Sequence, residues 1–244
     1  LAEAGTGAVT DLRFFGLCED RIGGVPVTVS RTGYTGDLGY ELWMPADGAL
    51  AVWDALFAAG ESHGIMPCGL QAMDIARLES GFILINVDYV SSERALLRDD
   101  RRTPHALGLG WAVKLDKAGF VGREALLAET RAGGPPRRIV GIEIPWRPLE
   151  AVYLGAGLMP DLPQVPCREP VPVYGRNGGA QIGHTTTRVW STLLKRYIAL
   201  ATVEAAFAAV GTEVEMEVTV HHERRRVPAR VRPTPFFRPD RMRS

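Results

Sequence analysis

The chain is short of several things, and each shortage removes a class of explanation. Three cysteines, Cys18, Cys68 and Cys167, are odd in number and far apart, with no C-x-x-C pair. They suggest neither a disulfide framework nor a zinc site, and they fit a reducing cytosol. No run of about 18 apolar residues is present to span a bilayer, and no charged-then-apolar signal opens the chain. Net charge is also missing: 28 Lys and Arg balance 28 Asp and Glu over 244 residues. No global field therefore draws the protein to nucleic acid or to a membrane. A P-loop, a G-x-S-x-G elbow and an H-E-x-x-H helix are all absent, which removes the commonest nucleotide, acyl-transfer and metalloprotease signatures. The first residue is Leu1, not Met, so the sequence is expected to begin inside a longer chain.

With 46% hydrophobic and 23% charged residues the composition is that of a soluble globular protein, long enough for two domains. The charge is unevenly spread. From His221 to Ser244 eight arginines face only Glu223 and Asp240, a surplus of six that the other 220 residues offset. A solvated strand face beside a charged tail explains that stretch, because no aromatic stacking platform is interleaved with the arginines. His221 and His222 read as strand neighbours on opposite faces, which keeps them from sharing a metal ion.

The pattern predicts strands over Gly24–Arg31 and Tyr40–Met44, joined by the glycine-studded loop Arg31–Gly39. Asp47 is placed to cap a helix carrying Leu50, Trp53, Leu56 and Phe57 at helical spacing. A second helix is predicted over Gly69–Ser80, a strand over Trp111–Leu115, and a short helix over Gly122–Thr130. Arg131–Pro136 is the linker candidate, with four Gly or Pro in six residues. Beyond it Arg138–Ile144, Val171–Tyr174, Ala180–Thr186, Ile198–Val203 and Glu213–Val220 read as strands. Val214, Met216, Val218 and Val220 alternate there with Glu213, Glu215, Glu217 and Thr219. The mixed part over residues 1–130 is therefore α+β or α/β, and residues 137–244 read as a small antiparallel barrel or sandwich, which sets the fold class as α+β if the two parts are separate.

Four ordered blocks carry a family resemblance. R-T-G-Y-T-G-D-L-G-Y-E-L (Arg31–Leu42) resembles the signature loop of the aminomethyltransferase family, which includes the T-protein of the glycine cleavage system. G-L-Q-A-M-D-I-A-R-L-E-S-G (Gly69–Gly81) resembles that family's helix block. T-P-H-A-L-G-L-G-W-A-V-K-L-D-K (Thr103–Lys117), followed by F-V-G-R-E-A-L, resembles a third. Ile182–Thr187, Ser191–Val203 and Pro235–Phe237 match the far end more loosely.

The resemblance implies a partial ferredoxin-like folate-binding domain followed by a C-terminal antiparallel β-barrel domain, acting in the cytoplasm with tetrahydrofolate. Glu41 matches the carboxylate that recognises the pterin, where two parallel N–H donors meet one charged acceptor. Tyr34 matches an aromatic lining the folate pocket. Gly33, Gly36 and Gly39 would let the backbone approach the ligand. Near the C-terminus, Arg241 or Arg238 would contact folate. The family's catalytic aspartate has no match here and is expected in a missing N-terminal part, so the catalytic residue is unknown; no metal is implied.

One departure bears on substrate. Where glycine-cleavage members carry a folate-contacting Arg, this chain has Met73, which offers bulk but no donor. Arg77, one turn along, is a possible substitute, though it is expected to pair with Asp74 at i,i+3. The implied partner is a lipoylated carrier protein in the glycine-cleavage version, or a small methylated substrate if the enzyme is a folate-dependent demethylase of an amine, sulfonium or aryl ether. A non-catalytic folate-binding module is a third reading, and a folate-binding tail of a larger flavin-dependent dehydrogenase is related to it.

Overall fold

The computed structural model describes residues 1–240. Contacts divide the chain into two compact units, one formed by Leu1–Ala76 with residues 238–240, the other by Arg77–Phe237. Arg241 lies outside the described residues.

In the first unit β1 (Leu17–Ile22), β2 (Val25–Ser30) and β3 (Glu41–Trp43) form an antiparallel sheet in the order β1-β2-β3. The period-2 pattern does what it should: Ile22, Val27 and Val29 are buried with Val9 and with Val52 of α1 (Ala49–Gly60). Asp47 is not the cap of α1. It sits in a single 3-10 turn, Ala46–Gly48, that runs straight into the helix, so Gly48 precedes α1 with near-helical angles and no side-chain cap bond forms. A capping residue needs a non-helical backbone, which Asp47 lacks. Asp20 is buried on β1, and its Oδ1 accepts from Thr6 N (2.8 Å), Thr6 Oγ1 (2.7 Å) and Arg21 N (2.7 Å).

A helix α2 (Leu70–Glu79) follows α1, and α3 (Arg123–Arg131) precedes the barrel. Between them, Trp111–Leu115 is not a strand. Gly108 takes φ +74°, and Gly110–Ala112 closes a 3-10 turn with Ala112 N bonded to Leu109 O (3.0 Å).

The rest of the second unit is a closed antiparallel barrel of β4 (Arg137–Ile144), β5 (Pro172–Gly175), β6 (Gln181–Ser191), β7 (Arg196–Glu204), β8 (Glu213–Val220) and β9 (Glu223–Arg232), in the order β4-β7-β6-β5-β8-β9. Its core holds Val140, Ile142, Ile144, Ala199, Ala201, Val203, Val214, Met216, Val227, Ala229 and Val231. All nine residues of β7 except its two ends are buried, because both faces of that strand are covered. The β6–β7 contact is so close that a Cβ on Gly183 would strike the Thr202 carbonyl, which fixes glycine there.

Helix α4 (Trp146–Gly155) was not expected from the sequence. Its prolines disguise it: Pro145 precedes the first turn and Pro148 lies within it, where no intrahelical N–H is required. Leu149 and Tyr153 then bury one face. His221 and His222 are likewise not in a strand. They form the two-residue turn between β8 and β9, with φ +51° and +66°, the backbone a tight hairpin demands.

Five of the arginines of the basic end, Arg224, Arg225, Arg226, Arg230 and Arg232, lie on β9. Arg230 pairs with Glu213 (3.2 Å), Arg232 with Glu143 (3.1 Å) and Arg224 with Glu217 (3.6 Å), while Arg226 stacks 3.5 Å over Tyr174. The barrel carries acids and bases on adjoining strands, so these β9 arginines are matched locally.

Candidate functional site

The site grows out of the β2–β3 pairing. Ser30 lies directly across from Glu41, and Val29 across from Leu42. Val29 and Leu42 turn to the core, so Ser30 and Glu41 share the opposite face. Ten residues, 31–40, bridge the two strands. Arg31 anchors the near end of this loop through its N–H to Gly16 O (3.0 Å) and its Nη1 to Leu12 O (2.9 Å). Within the loop Gly36 is buried with φ +72°, a left-handed turn that a β-carbon would strain. Gly33 and Gly39 close on each other instead: a Cβ on Gly33 would stand 3.5 Å from the Cα of Gly39.

Glu41 is exposed at the mouth of this hairpin. Its Oε2 accepts a short hydrogen bond from Thr32 Oγ1, and Ser30 Oγ lies 3.5 Å from the same oxygen. The two hydroxyls lie 2.7 Å apart. Oε1 has no protein hydrogen bond among the described residues, and it is the atom left to receive a donor from outside. Tyr34 is half-buried in the same loop. Arg238 is exposed and belongs by its contacts to the same unit as the hairpin.

Met73 is half-buried on α2, its N–H bonded to Gly69 O (3.1 Å). Arg77 is not available as its substitute. It is fully buried, with Nη1 on Asp88 Oδ2 (2.6 Å) and Phe82 O (3.1 Å), and Nη2 on Thr187 Oγ1 (3.0 Å). Asp88 also accepts from Thr186 Oγ1 (2.6 Å), Thr187 Oγ1 (2.7 Å) and Leu84 N (2.8 Å). Close by in sequence, Glu79 accepts from Ser191 Oγ (2.5 Å). Burial pushes the Glu79 carboxyl above the usual range, partly offset by that bond. These groups tie residues 77–88 to β6 and serve the fold. Sequence reasoning missed them because Asp88 and the threonines lie about a hundred residues apart.

A concavity near 530 Å³ is lined by Arg102, Lys114 and Lys117 over Phe120, Val121 and Leu126. Among the described residues no group of three or more His, Cys, Asp or Glu is arranged to hold a metal ion, and no helix is long and apolar enough to cross a membrane.

Two family models match the chain. The GCVT N-terminal domain covers residues 3–117, and the glycine cleavage T-protein C-terminal barrel domain covers residues 137–238. An aminomethyltransferase of Symbiobacterium thermophilum is 39% identical over 96% of this chain and 54% of its own length. A trimethylamine-oxide aldolase of Ruegeria pomeroyi is 37% identical over 96% of this chain but only 26% of its own. The crystal structure of the glycine cleavage system aminomethyltransferase T from Bartonella henselae superposes with a TM-score of 0.71 at 26% identity, covering 93% of this chain and 54% of that one. The chain thus spans about half the length of the curated aminomethyltransferases it matches. The six-stranded barrel follows a sheet-and-helix unit whose hairpin presents Glu41, and both halves match in order: the chain belongs to the glycine cleavage T-protein family, a folate-using family.

Proposed function

We propose that this chain is the folate-gripping portion of a tetrahydrofolate-dependent aminomethyl transferase of the glycine-cleavage type. In that reading residues 1–130 bind the folate and residues 137–244 form the barrel that accompanies them. The donor would be the aminomethyl group on a lipoylated carrier protein.

The observation that carries this reading is the state of the Glu41 carboxylate. One oxygen is held by the Thr32 hydroxyl, itself in contact with Ser30 Oγ, and the other has no protein hydrogen bond among the described residues. A charged acceptor in that state fits the aminopyrimidinone edge of a pterin, which offers two parallel N–H donors. Bound tetrahydrofolate supplies the nitrogen that accepts the one-carbon unit. The work of this chain is positional: Glu41 fixes the pterin edge and thereby the direction in which that nitrogen points. Tyr34 offers an apolar face beside it, and Arg238, or Arg241 beyond the described residues, a cation for the ligand's carboxylates.

Replacing Glu41 by Ala in the full-length protein should weaken binding of 5-formyl-tetrahydrofolate by about 1.5–3 kcal/mol, the worth of hydrogen bonds to a charged group. Unchanged affinity in a calorimetric titration would remove the role.

Met73 and the Ruegeria pomeroyi relative favour a second reading with the same pterin grip but another donor. In it the chain is the folate-binding tail of a larger enzyme that releases a one-carbon unit from a methylated amine. Methylene-tetrahydrofolate formed only with the lipoylated carrier supports the first reading; methyl-tetrahydrofolate formed from a methylated amine without carrier supports the second.

A further inference from the structure

We infer that Thr32, backed by Ser30, is a positioning residue that presets the Glu41 carboxylate for its ligand; this rests on the pterin-binding reading of Glu41.

Pairing and hydrogen bonds put the three side chains together. Ser30 and Glu41 are cross-strand partners on one face, and Thr32, in the loop just past the end of β2, meets both through its hydroxyl. Counting protons then fixes the direction of the bonds. Each hydroxyl has one O–H to give. Thr32 gives its proton to Glu41 Oε2, because an ionised carboxylate can only accept. The 2.7 Å contact between the hydroxyls must therefore be Ser30 donating to Thr32. Ser30 is buried and Thr32 half-buried, so the relay runs from the interior of the sheet outward and ends on the carboxylate. All donation converges on Oε2, which leaves Oε1 and the second lone pair of Oε2 for an incoming pair of donors.

The consequence is preorganisation. An exposed Glu rotates about three torsions and must be ordered when it binds. A side chain already held by a hydroxyl has met that cost before the ligand arrives. The relay also fixes which way the carboxylate plane faces, and a bidentate contact is sensitive to that plane. Valine at position 32 keeps the branched shape and removes the donor. Serine keeps the donor and removes a methyl group.

The experiment is a titration of the full-length protein with 5-formyl-tetrahydrofolate, comparing wild type, Thr32→Val, Thr32→Ser, Glu41→Ala and the Thr32→Val, Glu41→Ala double variant. Thr32→Val should raise Kd by about three- to tenfold, the size expected for ordering one flexible side chain. Thr32→Ser should stay within about twofold. In the Glu41→Ala background Thr32→Val should add nothing, since the hydroxyl acts only through the carboxylate. A full effect of Thr32→Val in that background would overturn the inference, because the residue would then be holding the loop and not the acid. So would a wild-type Kd for Thr32→Val when Glu41→Ala is weakened. A wild-type Kd for Glu41→Ala would instead remove the pterin-binding reading beneath it. Thr32→Ala replaces Thr32→Val if the branched side chain disturbs the loop.

Discussion

Asp20 shows how one residue's surroundings set the sign of its titration. Burial alone pushes its carboxyl up, but the bonds from Thr6 and from Arg21 N to Oδ1 outweigh it and hold the group below the usual carboxylate value of 3.8. A depressed acid contributes stability that is fully present above its unfolded value and lost as pH falls through its folded one. Asp20→Asn keeps an acceptor but loses the charge, and should cost roughly 1–3 kcal/mol at pH 7. The difference between wild type and variant in urea unfolding should shrink as pH drops below about 3.8. A gap that stays constant from pH 7 to pH 3 would mean that the charge is not what anchors Thr6. Nothing in the local sequence announces this bond, since Thr6 and Asp20 are joined across a loop. Glu41 could be singled out as a candidate because the loop around it resembles a family pattern. Its hydroxyl partners could not, because the Ser30–Glu41 register across a ten-residue connection cannot be counted from spacing.

At the scale of elements, the Arg77–Asp88 pair decides whether residues 77–88 stay on β6. Asp88→Ala would take a buried carboxylate away from the Arg77 guanidinium and strip the acceptor from Thr186 and Thr187. Losing one partner of a buried pair costs about 3–5 kcal/mol. Arg77→Met should be costly too, and the double variant should cost less than the two single changes together, by about 0.5–3 kcal/mol. Chemical denaturation of the four proteins checks this; simple additivity would show that the two groups are stabilised separately. The elements differ in how openly they declare themselves. Alternation from Val214 to Val220 marks β8 because one face meets the barrel core and the other meets β9's arginines and water. Helix α4 hides behind Pro145 and Pro148, and Trp111–Leu115 imitates a strand until the glycines at 108 and 110 turn the chain. His221 and His222 continue the strand pattern by composition, yet their positive φ ends it.

At the scale of the molecule the two units are built to different standards, and that difference gives a way to watch the ligand. The barrel is closed, so it has no edge, and its β7 is hydrogen-bonded on both sides and covered on both faces. The three-stranded sheet has β1 and β3 as edges among the described residues, and its core contains only five fully buried apolar side chains. Backbone amides exchange with solvent through openings whose free energy follows such local packing. Amides of β7 should therefore be the slowest to exchange in deuterium, and those of residues 17–43 much faster. A ligand that binds only the closed form of the sheet adds its own free energy to that opening, about 2.7 kcal/mol at a hundredfold excess over Kd. With 5-formyl-tetrahydrofolate at that excess, exchange in β2 and β3 should slow about a hundredfold while β7 is unchanged. The Glu41→Ala protein at the same ligand concentration should show a smaller slowing in the same strands. Protection that appears in the barrel and not in the hairpin would place the ligand elsewhere and separate the family's fold from the pterin grip assigned to it here.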